Sequence, residues 1–277
     1  MSDVAVDSPY LALPLKFQFA SLEDAEWVLS DRGALEQRDL RLGVASGDQM
    51  RAVEYRATQP GRLESWATAS TLRFIFLYVT SGQVRFSMVN GAAVTLAERD
   101  VVHQPFLAGV ASAEYSDDFK AVEVIVPDRP ESELDPLLRF ISKPLSGDWE
   151  SGIIRNRPER FIPGDGPRAF FTYRNLGTDA LTDRRIHIHD GLGATQPKVG
   201  GTGWHSHSMS QFFMALGGQG VLDIEGHGSF VMKPGDAIII EKRMRHNVSS
   251  YTEGYCGFEI CLPADYDTID QPAPPQA

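Results

Sequence analysis

Cysteine is almost absent from this 277-residue sequence, which has only Cys256 and Cys261. Both fall within one apolar segment, Tyr255 to Leu262, that we interpret as a β-strand. Their odd spacing places the two side chains on opposite faces of that strand. The sequence therefore gives no support for a disulfide or for a metal held by both thiols. We expect the thiols to be buried as small apolar groups.

Basic charge and long apolar runs are also scarce. The chain has 26 Lys and Arg against 37 Asp and Glu, a formal net charge of −11 and a pI near 5.1. Nucleic acids and anionic membranes bind basic faces, so we expect neither as a partner. No stretch approaches the ~20 apolar residues of a membrane span, and the N-terminal residues lack the pattern of a signal peptide. We therefore expect a cytoplasmic protein.

The most informative stretch contains two histidines separated by one residue, His205 and His207. In a β-strand, residues i and i+2 share a face, so both rings can approach one ion. Gln211 follows a short Ser-Met-Ser turn and would enter from the next strand. A third imidazole, His246, stands downstream of the turn Lys233-Pro234-Gly235-Asp236. Histidines satisfied by backbone carbonyls are the alternative, but this ligand set is typical of a divalent transition-metal site.

This arrangement resembles the two signature segments of the cupin superfamily. That pattern is a Gly, then His-x-His, a carboxylate or amide after three or four intervening residues, a further Gly, and a Pro-Gly-Asp turn before the last His. Residues 200–248 follow it nearly throughout. The resemblance implies a jelly-roll β-barrel that holds one divalent metal through His205, His207, Gln211 and His246. Many cupins have Glu where this chain has Gln211, so the amide would ligate the metal, bind a metal-bound water or hold the substrate.

The two halves of the chain also resemble each other. An offset of 136 residues aligns Gly82-Gln83 with Gly218-Gln219, and Asp100 with Asp236, without a gap. The chain therefore resembles a two-domain cupin, or bicupin, and by this analogy a homodimer is expected. The positions equivalent to the four candidate ligands hold Ala69, Thr71, Ile75 and Val110. We predict that the first barrel is structural and binds no metal.

Short strands separated by Gly and Asn turns predict an all-β fold with minor helices. Thr71 to Val79 and Gln83 to Val89 are examples, and Asn90-Gly91 is a hairpin signal. Helices are predicted only over 25–29, after Ser21, and from a cap at Asp135 to Ile141. We expect four parts: an N-terminal extension with a degenerate cupin domain (1–130), a connection (131–167), a metal-binding cupin domain (168–265) and a disordered tail (266–277).

Other residues are candidates for the cavity. His187 and His189 form a second His-x-His, but Gly193 stands where a cupin would have Glu or Gln. We interpret the pair as one face of an alternating strand, and keep open that one of them acts as an acid or base in the cavity. The aromatic side chains proposed as substrate-binding walls are Trp204, Phe213 and Tyr173. Aromatic residues in a barrel also serve as ordinary core, and this alternative stays open.

The charge of the site narrows the chemistry. Three neutral imidazoles leave a divalent ion with its full charge, which favours an anionic oxygen donor as substrate. With Fe(II), which we prefer over Zn(II), Mn(II) or Ni(II), the site resembles the three-histidine cupin dioxygenases that use O₂ to cleave enolizable or dihydroxylated aromatic substrates. An isomerase, lyase or hydrolase of a small polar acid that uses Zn, Mn or Ni is the first alternative. A noncatalytic small-molecule binder is the second.

Overall fold

The computed structural model describes residues 9–66, 72–107, 109–140, 152–164, 168–193 and 200–275. Strands dominate the described residues, which confirms the all-β prediction. The chain divides into two compact units. The C-terminal unit contains Met1–Glu23, Asp135–Arg139 and Pro158–Ala277, and the N-terminal unit contains Asp24–Leu134 and Phe140–Arg157. Within the described ranges, no helix has the length and apolar character needed to cross a membrane.

The first strand of the described residues, β1 (Gln18–Ala20), belongs to the C-terminal unit. The N-terminal unit has a seven-stranded sheet of order β12-β9-β6-β11-β4-β3-β2 and a four-stranded sheet of order β5-β10-β7-β8. Its strands are β2 (Val28–Leu29), β3 (Leu35–Asp39), β4 (Arg51–Ala57), β5 (Gly61–Leu63), β6 (Leu72–Ser81), β7 (Gln83–Met88), β8 (Ala93–Ala97), β9 (Val101–His103), β10 (Val110–Tyr115), β11 (Lys120–Pro127) and β12 (Ile153–Ile154). Its helices are α1 (Leu42–Ser46), α2 (Gln104–Leu107) and a 3₁₀ turn, Glu131–Glu133.

The C-terminal unit repeats this plan. A seven-stranded sheet of order β1-β20-β17-β22-β15-β14-β13 accompanies a five-stranded sheet of order β19-β18-β21-β16-β23. Its strands after β1 are β13 (Ile162–Pro163), β14 (Phe171–Asn175), β15 (His187–Gly193), β16 (His205–His207), β17 (Ser210–Gly217), β18 (Gly220–Ile224), β19 (Gly228–Met232), β20 (Ala237–Ile240), β21 (His246–Tyr251), β22 (Cys256–Leu262) and β23 (Thr268–Asp270). Its helices are α3 (Thr178–Leu181) and the 3₁₀ turns Pro136–Leu138 and Pro158–Arg160. Apolar residues of both sheets form the core between them.

The 136-residue repeat extends into the hydrogen bonds. Gln83 donates its backbone N–H to the Ser116 hydroxyl, and Gln219 donates to the Thr252 hydroxyl in the same way. A buried ion pair joins β3 to β4 in one unit, and its equivalent, Arg174 with Asp190, joins β14 to β15 in the other. Val110 and His246 each begin the corresponding strand, β10 and β21. The alignment that matches Val110 with a metal-ligand position therefore holds in the fold.

The N-terminal extension belongs to a different unit from the one expected. β1 pairs with β20, and the Ser210 hydroxyl donates a 2.6 Å hydrogen bond to the backbone carbonyl of Leu13. In the N-terminal unit, β12 pairs with β9. The described parts of 131–167 are divided between the units and do not form a separate connection. Each added strand covers an edge that would otherwise leave backbone groups unpaired, which is a long-range effect that sequence periodicity does not report.

Of the two predicted helices, one is a strand in the structure and the other is a short 3₁₀ turn. The prediction over 25–29 is wrong, because Val28–Leu29 forms a strand that pairs with β3. The Ser21 hydroxyl accepts only the N–H of Glu23, which makes a local turn. Asp135 does cap a helix, since its carboxylate accepts the Leu137 N–H, but the helix is a single 3₁₀ turn. Ile141, its predicted end, lies outside the described residues.

The interior of the N-terminal unit is apolar where the repeat places ligand positions. Ile75, at 1% exposure, and Val110 belong to a core cluster with Leu77, Phe86 and Trp66. Ala69 and Thr71 lie outside the described residues. The described ligand-equivalent positions therefore offer no donor atom, which supports the prediction that this unit is structural.

Ile75→Ala is expected to lower the free energy of unfolding by about 2–5 kcal/mol, because it leaves a cavity in this core. Metal content per folded chain should not change. Denaturant unfolding and metal analysis check both expectations. Val89→Ala is the control, since Val89 is 79% exposed and should change stability by less than about 0.5 kcal/mol. Loss of metal from the Ile75→Ala protein would contradict the structural assignment.

Candidate metal centre

The three candidate histidines converge on the five-stranded sheet of the C-terminal unit. β16 and β21 are antiparallel neighbours, and their register sets His205 directly opposite His246. His207 lies two residues along β16, on the same face. One ligand atom from each ring lies within 4.8 Å of the others, and the ring centroids of His205 and His246 are 4.3 Å apart. The described residues contain this one group of three side chains suited to a metal ion.

Hydrogen bonds hold each imidazole by the same nitrogen, Nδ1. His205 Nδ1 lies 2.8 Å from the carbonyl oxygen of Gly203, and His246 Nδ1 lies 3.0 Å from that of Met244. A carbonyl only accepts, so both Nδ1 atoms carry the hydrogen and both Nε2 atoms keep a lone pair. His207 Nδ1 lies 2.9 Å from the hydroxyl of Thr268. The three rings are thus oriented with Nε2 available for a metal.

The electrostatics keep the same rings neutral. Burial, followed by the neighbouring His246, lowers the pKa of His205 to about 3. Burial also lowers the pKa of His207 and of His246. At neutral pH, protons therefore do not compete for the ligand lone pairs. Neutral imidazoles with fixed tautomers suit a divalent transition metal, so the residues fit the group that the sequence predicts.

The C-terminal segment contributes to this site, which differs from the expected disordered tail from residue 266. β23 pairs with β16 and places Asp270 opposite His205 and Thr268 opposite His207. The ring of Tyr266 meets that of His207 edge-on at 5.4 Å. The three-residue strand is ordered by pairing with β16, and a segment this short and polar carries no local signal of it.

Gln211 lies on the other sheet. β17 carries it between Ile240 of β20 and Cys261 of β22, and the residue is buried at 7% exposure. Alternation along β17 puts it on the same face as Phe213, which packs into the core between the sheets. Gln211 therefore lies on the inner face of the unit. Ligation by its amide, or a catalytic role, stays a prediction.

Sequence reasoning missed a carboxylate on the same inner face. Glu259 of β22 stands opposite Phe213 on one side and His189 on the other. Its Oε2 lies 3.4 Å from Nε2 of His189, and the thiol of Cys261 donates to its Oε1 at 3.6 Å. Burial alone would raise the pKa of Glu259, but the hydrogen bond from His189 and the nearby imidazoles outweigh burial and hold it below the usual value. Glu259 is therefore an ionised carboxylate at neutral pH.

His187 and His189 occupy one face of β15, as the alternation predicts. In the register they lie opposite Cys261 and Glu259, which places them on the inner face. Burial, together with His189, lowers the pKa of His187 to about 4. Of the two histidines, His189 is the one that contacts Glu259. The sequence signal for this cluster is Glu259, a single acidic residue within the apolar strand β22.

The predicted aromatic walls separate into three environments. Tyr173 meets the ring of His189 edge-on at 5.2 Å, so it borders the inner-face cluster. Phe213 packs against Tyr255 in the core. Trp204 is half-buried immediately before β16, and its carbonyl accepts the N–H of Gln271. Substrate contact by any of the three stays a prediction.

Comparisons with known proteins agree with this architecture. Residues 193–258 match the family model Cupin_2, described as a cupin domain. A comparison with curated protein sequences gives no match. Among solved structures, the protein YlbA from E. coli, assigned to the family model DUF861, superposes with a TM-score of 0.58 at 11% identity and covers 93% of this chain and 95% of its own.

Oxalate decarboxylase from Bacillus subtilis, described as having Mn(II) centres, superposes with a TM-score of 0.53 at 13% identity. The match covers 91% of this chain and 78% of that protein. At such identities the two structures support the fold alone. With a cupin domain matched over residues 193–258 and a histidine triad at the motif positions, the C-terminal unit contains a cupin domain, and the strand plan repeated in both units gives the chain the fold of a two-domain cupin.

Proposed function

We propose that this protein is a metal-dependent enzyme, and specifically a non-haem Fe(II) dioxygenase whose substrate binds as an enolate or phenolate. The observation that carries the proposal is the combination of three neutral imidazoles with an ionised carboxylate, Glu259, in the same interior. A ligand set without charge leaves the ion able to attract an anionic oxygen. The carboxylate supplies a base that can generate that anion.

Glu259 has the arrangement of a general base. Its pKa is held below the usual value by the hydrogen bond from His189 and by nearby imidazoles, so the carboxylate is ionised at neutral pH and has lone pairs that can accept a proton. His189 orients one carboxylate oxygen through the 3.4 Å contact, and the Cys261 thiol donates to the other. A proton taken from a diketone, enol or phenol would pass to Glu259. The chain's own residues thereby hold both the substrate anion and its proton.

The triad supplies the remaining chemistry when it is loaded. His205, His207 and His246 would hold the ion through Nε2, and a bound iron(II) supplies a redox-active Lewis acid for reaction with O₂. Gln211 lies on the inner face and is proposed to hold the substrate or to complete the ligand set. Burial of the histidines limits the access of bulk water to the reacting atoms.

Metal analysis and an oxygen electrode test the proposal. We expect about one equivalent of iron per chain after anaerobic purification with Fe(II), and oxygen uptake that depends on added enolizable diketones or dihydroxylated aromatics. Protein treated with a chelator should take up no oxygen until Fe(II) is restored. Zinc in place of iron, with no oxygen uptake on any substrate of these classes, would refute the dioxygenase.

A non-oxidative metal enzyme is the second candidate. It is favoured by the similarity in fold to oxalate decarboxylase, which is described as having Mn(II) centres. The same triad with Mn(II), Zn(II) or Ni(II) would act as a Lewis acid on a small polar acid, and Glu259 would again move the proton. Conversion of such an acid without oxygen uptake identifies this case. A metal-bound protein that converts no substrate would indicate a noncatalytic binder.

A further inference from the structure

Arg168 is a half-buried cation whose position is explained neither by the ligand set nor by the proposed base. It stands three residues before β14, and its side chain is only 18% exposed. One guanidinium nitrogen, Nη2, donates to Oδ1 of Asp270 at 3.2 Å. Its Nε atom is buried and finds no acceptor among the described residues. An arginine has five N–H donors in a fixed fork, so this one keeps donors for a further acceptor.

The guanidinium lies beside the metal centre. Asp270, which binds it, is the direct strand neighbour of His205. Arg168 is therefore linked through Asp270 to the strand that carries His205 and His207.

The N-terminal unit shows what an arginine at this position does without a metal site. Arg32 also stands three residues before its strand, β3, and its two Nη atoms bind both oxygens of Glu123 at 2.8 and 3.0 Å. Trp66 and Tyr55 donate to the same carboxylate. Glu123 and Glu259 are equivalent in the repeat. In the structural unit, the arginine and the glutamate therefore bind each other.

In the C-terminal unit the equivalent residues, Arg168 and Glu259, bind different partners. Glu259 contacts His189, and Arg168 contacts Asp270, whose side chain is 68% exposed. A solvent-exposed carboxylate is a weak partner for a guanidinium, because water and salt screen the pair. The unit thus has a guanidinium and a carboxylate that do not pair with each other, and each keeps the capacity to bind a substrate group.

We propose that Arg168 is a substrate-binding residue that binds a carboxylate of the substrate. The substrate class is a carboxylic acid that also carries an enolizable or phenolic oxygen, with the oxygen at the triad and the carboxylate at Arg168. This assignment rests on the proposed function for the metal-directed oxygen but not on the reaction with O₂. Arginine suits the role because its fork binds a carboxylate through two parallel hydrogen bonds.

Binding of 3,4-dihydroxybenzoate and catechol to the Zn(II)-loaded full chain tests the proposal. The two ligands share both phenolic oxygens and differ by one carboxylate, and zinc prevents turnover. By calorimetry we expect the acid to bind at least about tenfold tighter than catechol. Arg168→Gln should remove that advantage, a loss of about 10- to 100-fold for the acid, with little change for catechol. Arg168→Lys should keep part of the preference for the acid over catechol, and Asp270→Asn should keep all of it.

Equal affinity of the unaltered protein for the two ligands would overturn the proposal, as would no binding of the acid. A loss in Arg168→Gln that is equal for both ligands, with unchanged metal content, would show a structural role. Thermal unfolding checks that each variant is folded, and if Arg168→Gln does not fold, the ligand preference of Arg168→Lys decides. The binding measurement consumes no oxygen, so its result does not depend on whether the protein is a dioxygenase.

Discussion

His205→Ala and His246→Ala are each expected to lose nearly all bound divalent metal while the β-fold remains. Each substitution removes one of three Nε2 donors, and the two that remain hold an ion far more weakly. Altering a residue that only hydrogen-bonds a ligand lowers metal affinity by about 10- to 100-fold, and loss of a ligand itself should lower it by more. Metal analysis of the purified proteins, with circular dichroism for the fold, measures both effects.

An exposed histidine of the same unit provides the control. His227 lies in the turn before β19 and stacks on Phe17 with a centroid distance of 3.8 Å, so His227→Ala removes an imidazole without touching the triad. It should retain a full equivalent of metal. If both triad variants also retained a full equivalent, the ligand assignment would be wrong.

Glu259→Gln should lower kcat by about 10²- to 10⁴-fold and leave metal content unchanged. The amide keeps the size of the carboxylate but cannot accept the substrate proton, and this range is typical for loss of a general base. His189→Gln should have a smaller effect, since it removes only the group that orients the carboxylate. Steady-state kinetics on any substrate that supports turnover measures the change.

The repeat provides a matched control for this substitution. Glu123→Gln alters the equivalent carboxylate of the N-terminal unit, where Arg32, Tyr55 and Trp66 bind it. It should destabilise that unit without changing kcat per folded chain. Full activity in Glu259→Gln would contradict the role of base, and loss of metal there would make Glu259 a ligand.

The two equivalent glutamates, Glu123 and Glu259, have different partners in the two units. Glu123 is neutralised by Arg32, so the N-terminal interior closes around a satisfied ion pair and an apolar core. Removing one partner of such a buried pair typically costs about 3–5 kcal/mol, because the other charge stays buried. Glu259 has no guanidinium partner among the described residues, and its charge remains available for chemistry. Under the proposed function, the same fold would provide stability in one unit and reactivity in the other.

Much of the site follows from local periodicity. Alternation along β16 predicts that His205 and His207 share a face, and the resemblance to the cupin motif identifies His246 as the third ligand. The offset between the halves predicts the repeat and the apolar positions Ile75 and Val110. These features depend on neighbours in sequence or on a fixed spacing, and both are visible in a single chain.

The remainder depends on contacts between distant segments. Glu259 and Arg168 gain their significance from the strands and the ion pairs around them, which the sequence does not specify. The pairing of β1 with β20, and that of β23 with β16, arise because edge strands need partners. The wrong helix over 25–29 has the same origin, because pairing of Val28–Leu29 with β3 overrides a local capping signal.

Anomalous scattering from crystals grown with a transition metal tests the central claim most directly. That claim is that one unit of the chain is a metal centre and the other is structural. The expected result is one peak per chain, within bonding distance of Nε2 of His205, His207 and His246, and none beside Ile75 and Val110. A peak in the N-terminal unit, or none at the triad in metal-loaded crystals, would contradict it.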